Sequence, residues 1–404
     1  MLALNNLNQT NMKLMKDKNL NRRIFLKTSA LGATGALFSN KMMGHETASY
    51  IDKRANEGII ITRKLGKTGL ELPVISFGVM RADNPNLIKA AMSAGIKHFD
   101  TAHGYQNGNN EKMLGEVLEN YPRDSFTIAT KVKPADKNKF LEDLDTSLER
   151  LKMNYVEILY IHALSSRDQV LNESYIDALQ TAKKLGKTRF IGLSTHSNEP
   201  EVIEAAIESK AYDVILTAYN FKQDHKDLLT KRIKEASKAG IGIVGMKTMA
   251  GGKLGKESEK MHFRAALKWA LKNQHVHTLI PGITNFSELE ENMAVMNNLS
   301  LTKDEKSFLS FASLQPGLYC NGCHECTRSC RKRLPIPDMM RAFMYAYGYG
   351  EMNKAKQELL SLGISENPCA DCSSCTVKCI KGFNIPQKLA DISRIADVPD
   401  EFLA

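Results

Sequence analysis

Cysteine is absent from the first 319 of the chain's 404 residues, and all eight copies fall between Cys320 and Cys379. A disulfide framework spread through the chain is thereby excluded, and the clustering marks one local chemical purpose. Aromatics are sparse at 7%, with a single Trp, and no Lys/Arg stripe interleaved with aromatics occurs. Nucleic acid is therefore not an expected partner, even at a formal net charge of +10. That charge is uneven: residues 1–48 hold seven Lys or Arg against two acids, and the remainder is only mildly basic. Long apolar runs are missing too. The stretch Thr28 to Phe38 is weakly apolar and too short for an ordinary membrane span, so no stable transmembrane segment is expected once a signal is removed.

What the N-terminus does contain is Asn21-Arg22-Arg23-Ile24-Phe25-Leu26-Lys27. The string resembles the twin-arginine export signal, with a short Ala- and Gly-rich stretch behind it. Residues 1–48 are read as signal peptide and linker, and the mature protein as exported, in the periplasm. That route carries folded proteins, which suits an assembled metal cofactor.

From Ile59 onward short β-branched or apolar runs alternate with longer amphipathic stretches, the pattern of a parallel sheet covered by helices. Eight strands are predicted, at 74–77, 97–100, 127–131, 156–162, 189–194, 213–218, 242–246 and 277–281. Eight βα units argue for a closed barrel rather than an open sheet. The stretch IITRKLGKTGLELPV ahead of them reads as a β-hairpin turning between Gly66 and Gly69, placed to cap the barrel bottom. The predicted class is α/β: a (β/α)8 TIM barrel over 59–312, with a small, mainly α-helical ferredoxin-like C-terminal domain over 313–404.

In such a barrel the active site lies at the C-terminal ends of the strands. Asp100 ends the second strand, Tyr105 follows in its loop, Lys131 ends the third and His162 ends the fourth. Singly each has an ordinary explanation, as a helix cap, a solvated flank or a core residue. Together, on consecutive rim positions, they suit proton delivery to a carbonyl oxygen. An adjacent ammonium would bring a tyrosine's pKa down toward a useful value, Asp100 would hold Lys131 charged, and a neutral His162 would orient the substrate.

The strings RKLGKTGLELPVISFG, HFDTAHGYQNGNNEKMLGEVL, IATK, YIHA, IGLS and IPG resemble the aldo-keto reductases over about residues 59–300. The resemblance implies Tyr105 as general acid, tuned by Lys131 and Asp100, with His162 positioning the substrate. It also implies a nicotinamide, NAD(P)(H), across the barrel mouth, passing hydride without a flavin to a small carbonyl substrate or taking it from an alcohol. Ser194, Gly282, Thr284 and Asn285 are the positions expected to hold it. Departures from the family pattern occur at Thr195, at Met246-Lys247 and at the acidic Glu288, Glu290 and Glu291. Acids near a 2′-phosphate would repel it, so NADP selectivity is not expected.

The cysteines form two copies of C-x2-C-x2-C-x3-C: Cys320, Cys323, Cys326, Cys330 and Cys369, Cys372, Cys375, Cys379. The copies lie 49 residues apart, and the match continues from Leu334, Ile336, Pro337 to Phe383, Ile385, Pro386, an internal repeat. Such spacing suits two [4Fe-4S] clusters, the fourth cysteine commonly ligating the other cluster. Zinc needs only two CxxC pairs and would leave half the cysteines unexplained. Arg331 and Ile380 stand where the common bacterial ferredoxin pattern has Pro, and MMRAFMYAYGYGEMNKAKQELLSLG between the copies reads as helical, so a helical arrangement is expected. Its stripe Met339, Met340, Phe343, Met344, Tyr347 reads as core packing. The function that follows is a carbonyl/alcohol oxidoreductase whose clusters move electrons to or from a redox partner protein. The alternatives are a non-catalytic barrel serving as a docking or electron-carrying subunit, and purely structural clusters.

Overall fold

The alternating pattern resolves, in a computed structural model, into a cylinder of eight parallel strands. The structure describes residues 60–251, 259–314, 317–372 and 374–403; the twin-arginine string lies outside them. A hairpin of β1 (Thr62–Lys64) and β2 (Glu71–Pro73) comes first, its turn closed by Leu65 N donating to Leu70 O at 2.8 Å. The barrel strands follow as β3 (Phe77–Gly78), β4 (His98–Asp100), β5 (Thr127–Val132), β6 (Val156–Ile161), β7 (Thr188–Thr195), β8 (Val214–Ala218), β9 (Gly242–Met246) and β10 (Thr278–Leu279). Each pairs in parallel with its neighbour in sequence. Isolated parallel bridges, Ile75 with Leu279 and Gly78 with Gly282, join the last strand to the first. The first and last strands are shorter than their apolar runs suggest because this closing seam is made residue by residue.

Helices α1 (Pro85–Ser93), α2 (Asn109–Leu118), α3 (Lys137–Leu151), α4 (Glu173–Lys184), α5 (Glu199–Ser209), α6 (Lys226–Lys238), α7 (Glu259–Leu271) and α8 (Phe286–Met296) surround the strands. Their starts are set by side chains that satisfy the first free amides. Asn84, Asp136, Asn172 and Asn285 all accept from backbone N–H groups in the first turn of the helix they precede. Inside the barrel, Leu65, Leu70 and Leu72 of the hairpin pack with Ala129, Ile158, Tyr160, Val214, Leu216 and Val244, so the bottom is plugged with apolar side chains. The mouth at the opposite end is thereby the only end of the cylinder left for a ligand.

Helix α9 (Lys303–Leu314) leans on α7, where Lys268 pairs with Glu305 at 2.9 Å in a buried contact. The C-terminal region adds α10 (Ile336–Tyr349), α11 (Met352–Ser361) and α12 (Ile385–Ser393). The single helical stretch expected between the cysteine copies is two helices, broken at Gly350, whose φ of +73° ends α10 in the left-handed conformation. Met339, Met340, Phe343 and Met344 are buried in the region's own core as expected, but Tyr347 is half-exposed. Residues 52–404 cluster as one compact unit, so this region is part of the barrel's body and not a tethered module.

Candidate active site at the barrel mouth

A cavity of about 690 Å³ opens at the C-terminal ends of the strands, and Asp100, Tyr105, Lys131 and His162 all line it. The pleat sends alternate residues inward, so strand-end polar groups are delivered to the mouth while the apolar residues before them fill the barrel. Asp100 and Lys131 are each 1% exposed, and Lys131 Nζ donates to Asp100 Oδ1 and to Thr101 O. That ammonium lies 4.9 Å from the centroid of the Tyr105 ring. The Tyr105 and His162 rings meet edge to face with centroids 6.0 Å apart.

Both ring-bearing loops hold unusual backbone. Gln106 and Asn107, directly after Tyr105, adopt φ of +49° and +54°, and the Gln106 side-chain amide pins the turn by donating to Met80 O at 3.1 Å. Ala163, directly after His162, has φ of +65°, and its N donates to Ser194 Oγ at 2.8 Å. Non-glycine residues in this region are strained and persist where the surroundings over-determine them, a condition frequent at functional sites.

Charge in the pocket departs from the expectation at one residue. The Tyr105 phenol is pushed well above its ordinary value, by burial first and then by repulsion from Asp100, Tyr345 and Glu358. Lys131 does not reverse this, because its charge is already engaged by Asp100. Tyr105 is thus a neutral phenol, a proton donor at ordinary pH. At His162, burial and the cations Lys131, Lys354, Lys133 and Arg341 hold the imidazole well below the usual histidine range.

The four expected nucleotide-binding positions divide. Ser194 is buried and lines the cavity, and Gly282 lines it too, where an added side chain would make ordinary contact with Arg81 Cδ at 3.7 Å. Thr284 and Asn285 are spent elsewhere. Glu288 Oε2 accepts from Thr284 N at 2.7 Å and from its hydroxyl at 2.9 Å, while Asn285 Oδ1 caps α8 by accepting from Glu288 N. The backbone N–H of Thr284, a position expected to hold the cofactor, is therefore held by a carboxylate in the first turn of α8.

The roof of the pocket is not legible in the sequence. Arg341, Tyr345 and Tyr349 of α10 and Lys354 and Glu358 of α11 line the cavity opposite the rim. Lys247, noted only as a departure from pattern, also faces it, as does His196. A charged Arg341 inside the otherwise apolar stripe of α10 was the one available signal.

The eight cysteines are free thiols that sort into two sets by proximity. Cys320, Cys323, Cys326 and Cys379 line one small cavity, and as thiolates they would repel one another. Cys369 is coupled in the same way to Cys372, Cys375 and Cys330. Each set takes three thiols from one copy and the fourth from the other. Burial pushes Cys320 up to about 12 and Cys326 up to about 11, so their thiolates need a compensating cation. Among the described residues no group of three or more His, Cys, Asp or Glu side chains is drawn together around a single metal ion. Sulfur donors arranged in fours suit a larger, soft metal centre. The first set also touches the active-site pocket, since Cys320 shares a narrow cavity with His196, Lys247 and Arg341.

Comparison with known proteins agrees with the barrel geometry. Residues 76–263 match the model of the aldo/keto reductase family. The chain is 29% identical over 292 residues to L-galactose dehydrogenase of Arabidopsis thaliana, spanning 61% of this chain and 91% of that protein. It is 28% identical over 258 residues to the methylglyoxal reductase DkgB of Salmonella typhi, spanning 60% and 93%. An aldo-keto reductase from Bacillus halodurans in its holo form superposes with a TM-score of 0.52 at 20% sequence identity, covering 63% of this chain and 96% of that one, a likeness of fold.

Proposed function

We propose that this chain, whose residues 76–263 match the aldo/keto reductase family, interconverts a small carbonyl compound and its alcohol, with Tyr105 as the proton donor. The observation that carries the reading is the meeting of Asp100, Tyr105, Lys131 and His162 at one cavity of small-molecule size. Bound at the mouth near Ser194 and Gly282, a nicotinamide would supply the hydride that adds to the carbonyl carbon. Tyr105, a neutral phenol, gives its proton to the carbonyl oxygen as that oxygen gains charge. His162, an uncharged imidazole, orients the oxygen by hydrogen bonding, and the Lys131–Asp100 pair keeps the Tyr105 environment polar without ionising the phenol. The roof formed by α10 and α11 covers the cavity and limits the access of water to the reacting atoms. Glu288, at the strand-10 side of the cavity, stands against a 2′-phosphate and favours a cofactor that lacks one.

The C-terminal thiols are proposed to hold two [4Fe-4S] clusters that exchange single electrons with a redox partner protein. The crossed sets of four support this, and the cavity shared by Cys320, His196 and Arg341 gives the first cluster a short route to the pocket. Export by the twin-arginine route to the periplasm, with clusters already assembled, belongs to the same proposal and rests on Arg22-Arg23 and the residues around them.

Tyr105→Phe tests the chemistry. Turnover of a carbonyl panel with NADH or NADPH is expected to fall about 10²- to 10⁴-fold, the usual contribution of a positioned general acid, with little change in substrate binding. Unchanged turnover removes Tyr105 from the mechanism.

A further inference from the structure

Carbonyl reduction as proposed leaves one corner of the pocket unused, and that corner is cationic. Lys247 follows β9 with a left-handed φ of +56° and lines the cavity. Its Nζ donates to Tyr345 Oη at 3.0 Å and sits 4.9 Å from that ring's centroid, and among the described residues no carboxylate pairs with it. Arg341, 8% exposed, sets Nη1 against the His196 ring at 2.7 Å and Nη2 on Asp338, while its Nε, 3.6 Å from Glu358, is buried without a hydrogen bond. Lys354 lies 3.8 Å from the same Glu358. The corner thus holds three cations, Lys247, Arg341 and Lys354, against two carboxylates, Asp338 and Glu358, and the unmatched charge is Lys247.

We propose that Lys247 and Arg341 form an anion subsite, so that the substrate of this pocket is a carbonyl compound carrying a carboxylate or a phosphate. The inference rests on the reading of the rim as an active site, which it deepens. Four considerations converge on it. An ammonium without a counter-ion in a partly enclosed pocket is unfavourable, and burial together with repulsion from Arg341 brings Lys247 down to about 7, only partly offset by Glu358 and Glu199. A bound anion would relieve that cost. His162 and His196, both uncharged and both lining the cavity, connect the corner to the reacting end without adding charge of their own. Arg341 is buried, oriented and fixed by Asp338, which is the preorganisation a planar anion requires. Finally, the strained backbone at Lys247 aims a long cation into a cavity where an apolar side chain would pack at no electrostatic cost.

Two measurements on the full chain, purified with its metal, test this and separate it from the activity itself. In the first, kcat/KM is compared within pairs: succinic semialdehyde against butanal, and glyceraldehyde 3-phosphate against glyceraldehyde. Preference for the charged member of either pair is expected, and the preferred pair tells carboxylate from phosphate. Lys247→Met should cut that preference about 10- to 100-fold, the size of a charge-assisted hydrogen bond, mainly through KM, and Lys247→Arg should restore part of it. Equal use of charged and neutral members by the native protein overturns the subsite. In the second, inorganic phosphate and acetate are titrated calorimetrically into the native protein, Lys247→Met and Arg341→Gln. Binding that is lost in the variants supports the subsite even if no aldehyde is turned over, in which case only the catalytic reading fails. No binding of either ion to the native protein, or binding that survives in both variants, overturns the inference.

Discussion

Single residues differ in how openly their environment is written in the sequence. Asp100 and Lys131 were legible because a strand end in a parallel barrel has one destination, and their buried ion pair follows from it. The ionisation of Tyr105 was not legible, because it depends on Tyr345 and Glu358, more than 200 residues away in the chain. The ionisation of His98, the first residue of β4, was not legible either, because it depends on how deeply the side chain is buried. It is fully buried, its Nδ1 meets Thr127 Oγ1 at 2.7 Å, and its Nε2 has no partner. Burial, with the Lys131 charge adding to it, lowers His98 to about 3 against the partial opposition of its hydrogen bond. The folded state therefore refuses a proton that the unfolded chain accepts near the ordinary histidine value. Stability from this group is complete above about pH 6.5 and is lost as pH falls from there toward 3. By pH 5 the loss should be about 2 kcal/mol relative to pH 7. Urea midpoints of the native protein at the two pH values measure it, and His98→Asn, which does not titrate, should remove about that much of the difference; an unchanged slope would show that His98 is not the group responsible.

Elements were legible where their contacts are local. The order of strands follows from period, the helix starts at Asp136, Asn172 and Asn285 are set by local caps that the fold reveals, and the strand limits fail mainly at the seam, where β3 and β10 pair through isolated residues. The seating of α10 is the opposite case. Gly348 reads as an unfavourable glycine near the end of a helix, yet a Cβ there would stand 2.3 Å from Gly251 O, and Tyr349 Oη accepts from Gly251 N at 3.2 Å. The glycine is what lets the roof helix lie on the backbone of the loop after β9. Gly348→Ala sets two effects against each other: a helix-propensity gain of about 0.5–1 kcal/mol, and a clash with immovable backbone of about 1–3 kcal/mol. The clash should win. The variant is expected to melt lower, and because α10 carries Arg341 and Tyr345, substrate KM should rise as the roof is displaced. A thermal shift paired with KM decides it: a higher melting temperature would mean that α10 does not press on that loop.

At the scale of the whole molecule the barrel and the cysteine-rich region complete each other, and this is where sequence said least. Two repeats 49 residues apart point to sets of four thiols, and the spacing carries the expectation that the fourth cysteine of each copy serves the other copy's set. The folded chain brings Cys379 to Cys320, Cys323 and Cys326, and Cys330 to Cys369. Crossing the sets ties α12, which follows Cys379, to the loop beside the active site, where Gly322 lies so close to Ser197 that a Cβ would meet its Oγ at 2.7 Å. A metal centre in the first set would therefore brace the pocket roof as well as carry electrons. Crossed and uncrossed pairing make opposite statements about double variants. If the sets are crossed, Cys320→Ala and Cys379→Ala each remove about half the iron and sulfide, and the double variant loses no more than either single one. Cys320→Ala with Cys330→Ala, both from the first copy, should instead lose nearly all of it. Uncrossed ligation reverses the two results, so iron and sulfide analysis of these proteins distinguishes them. If the first centre braces the roof, substrate KM should rise in Cys379→Ala and change less in Cys330→Ala, although both lack one ligand.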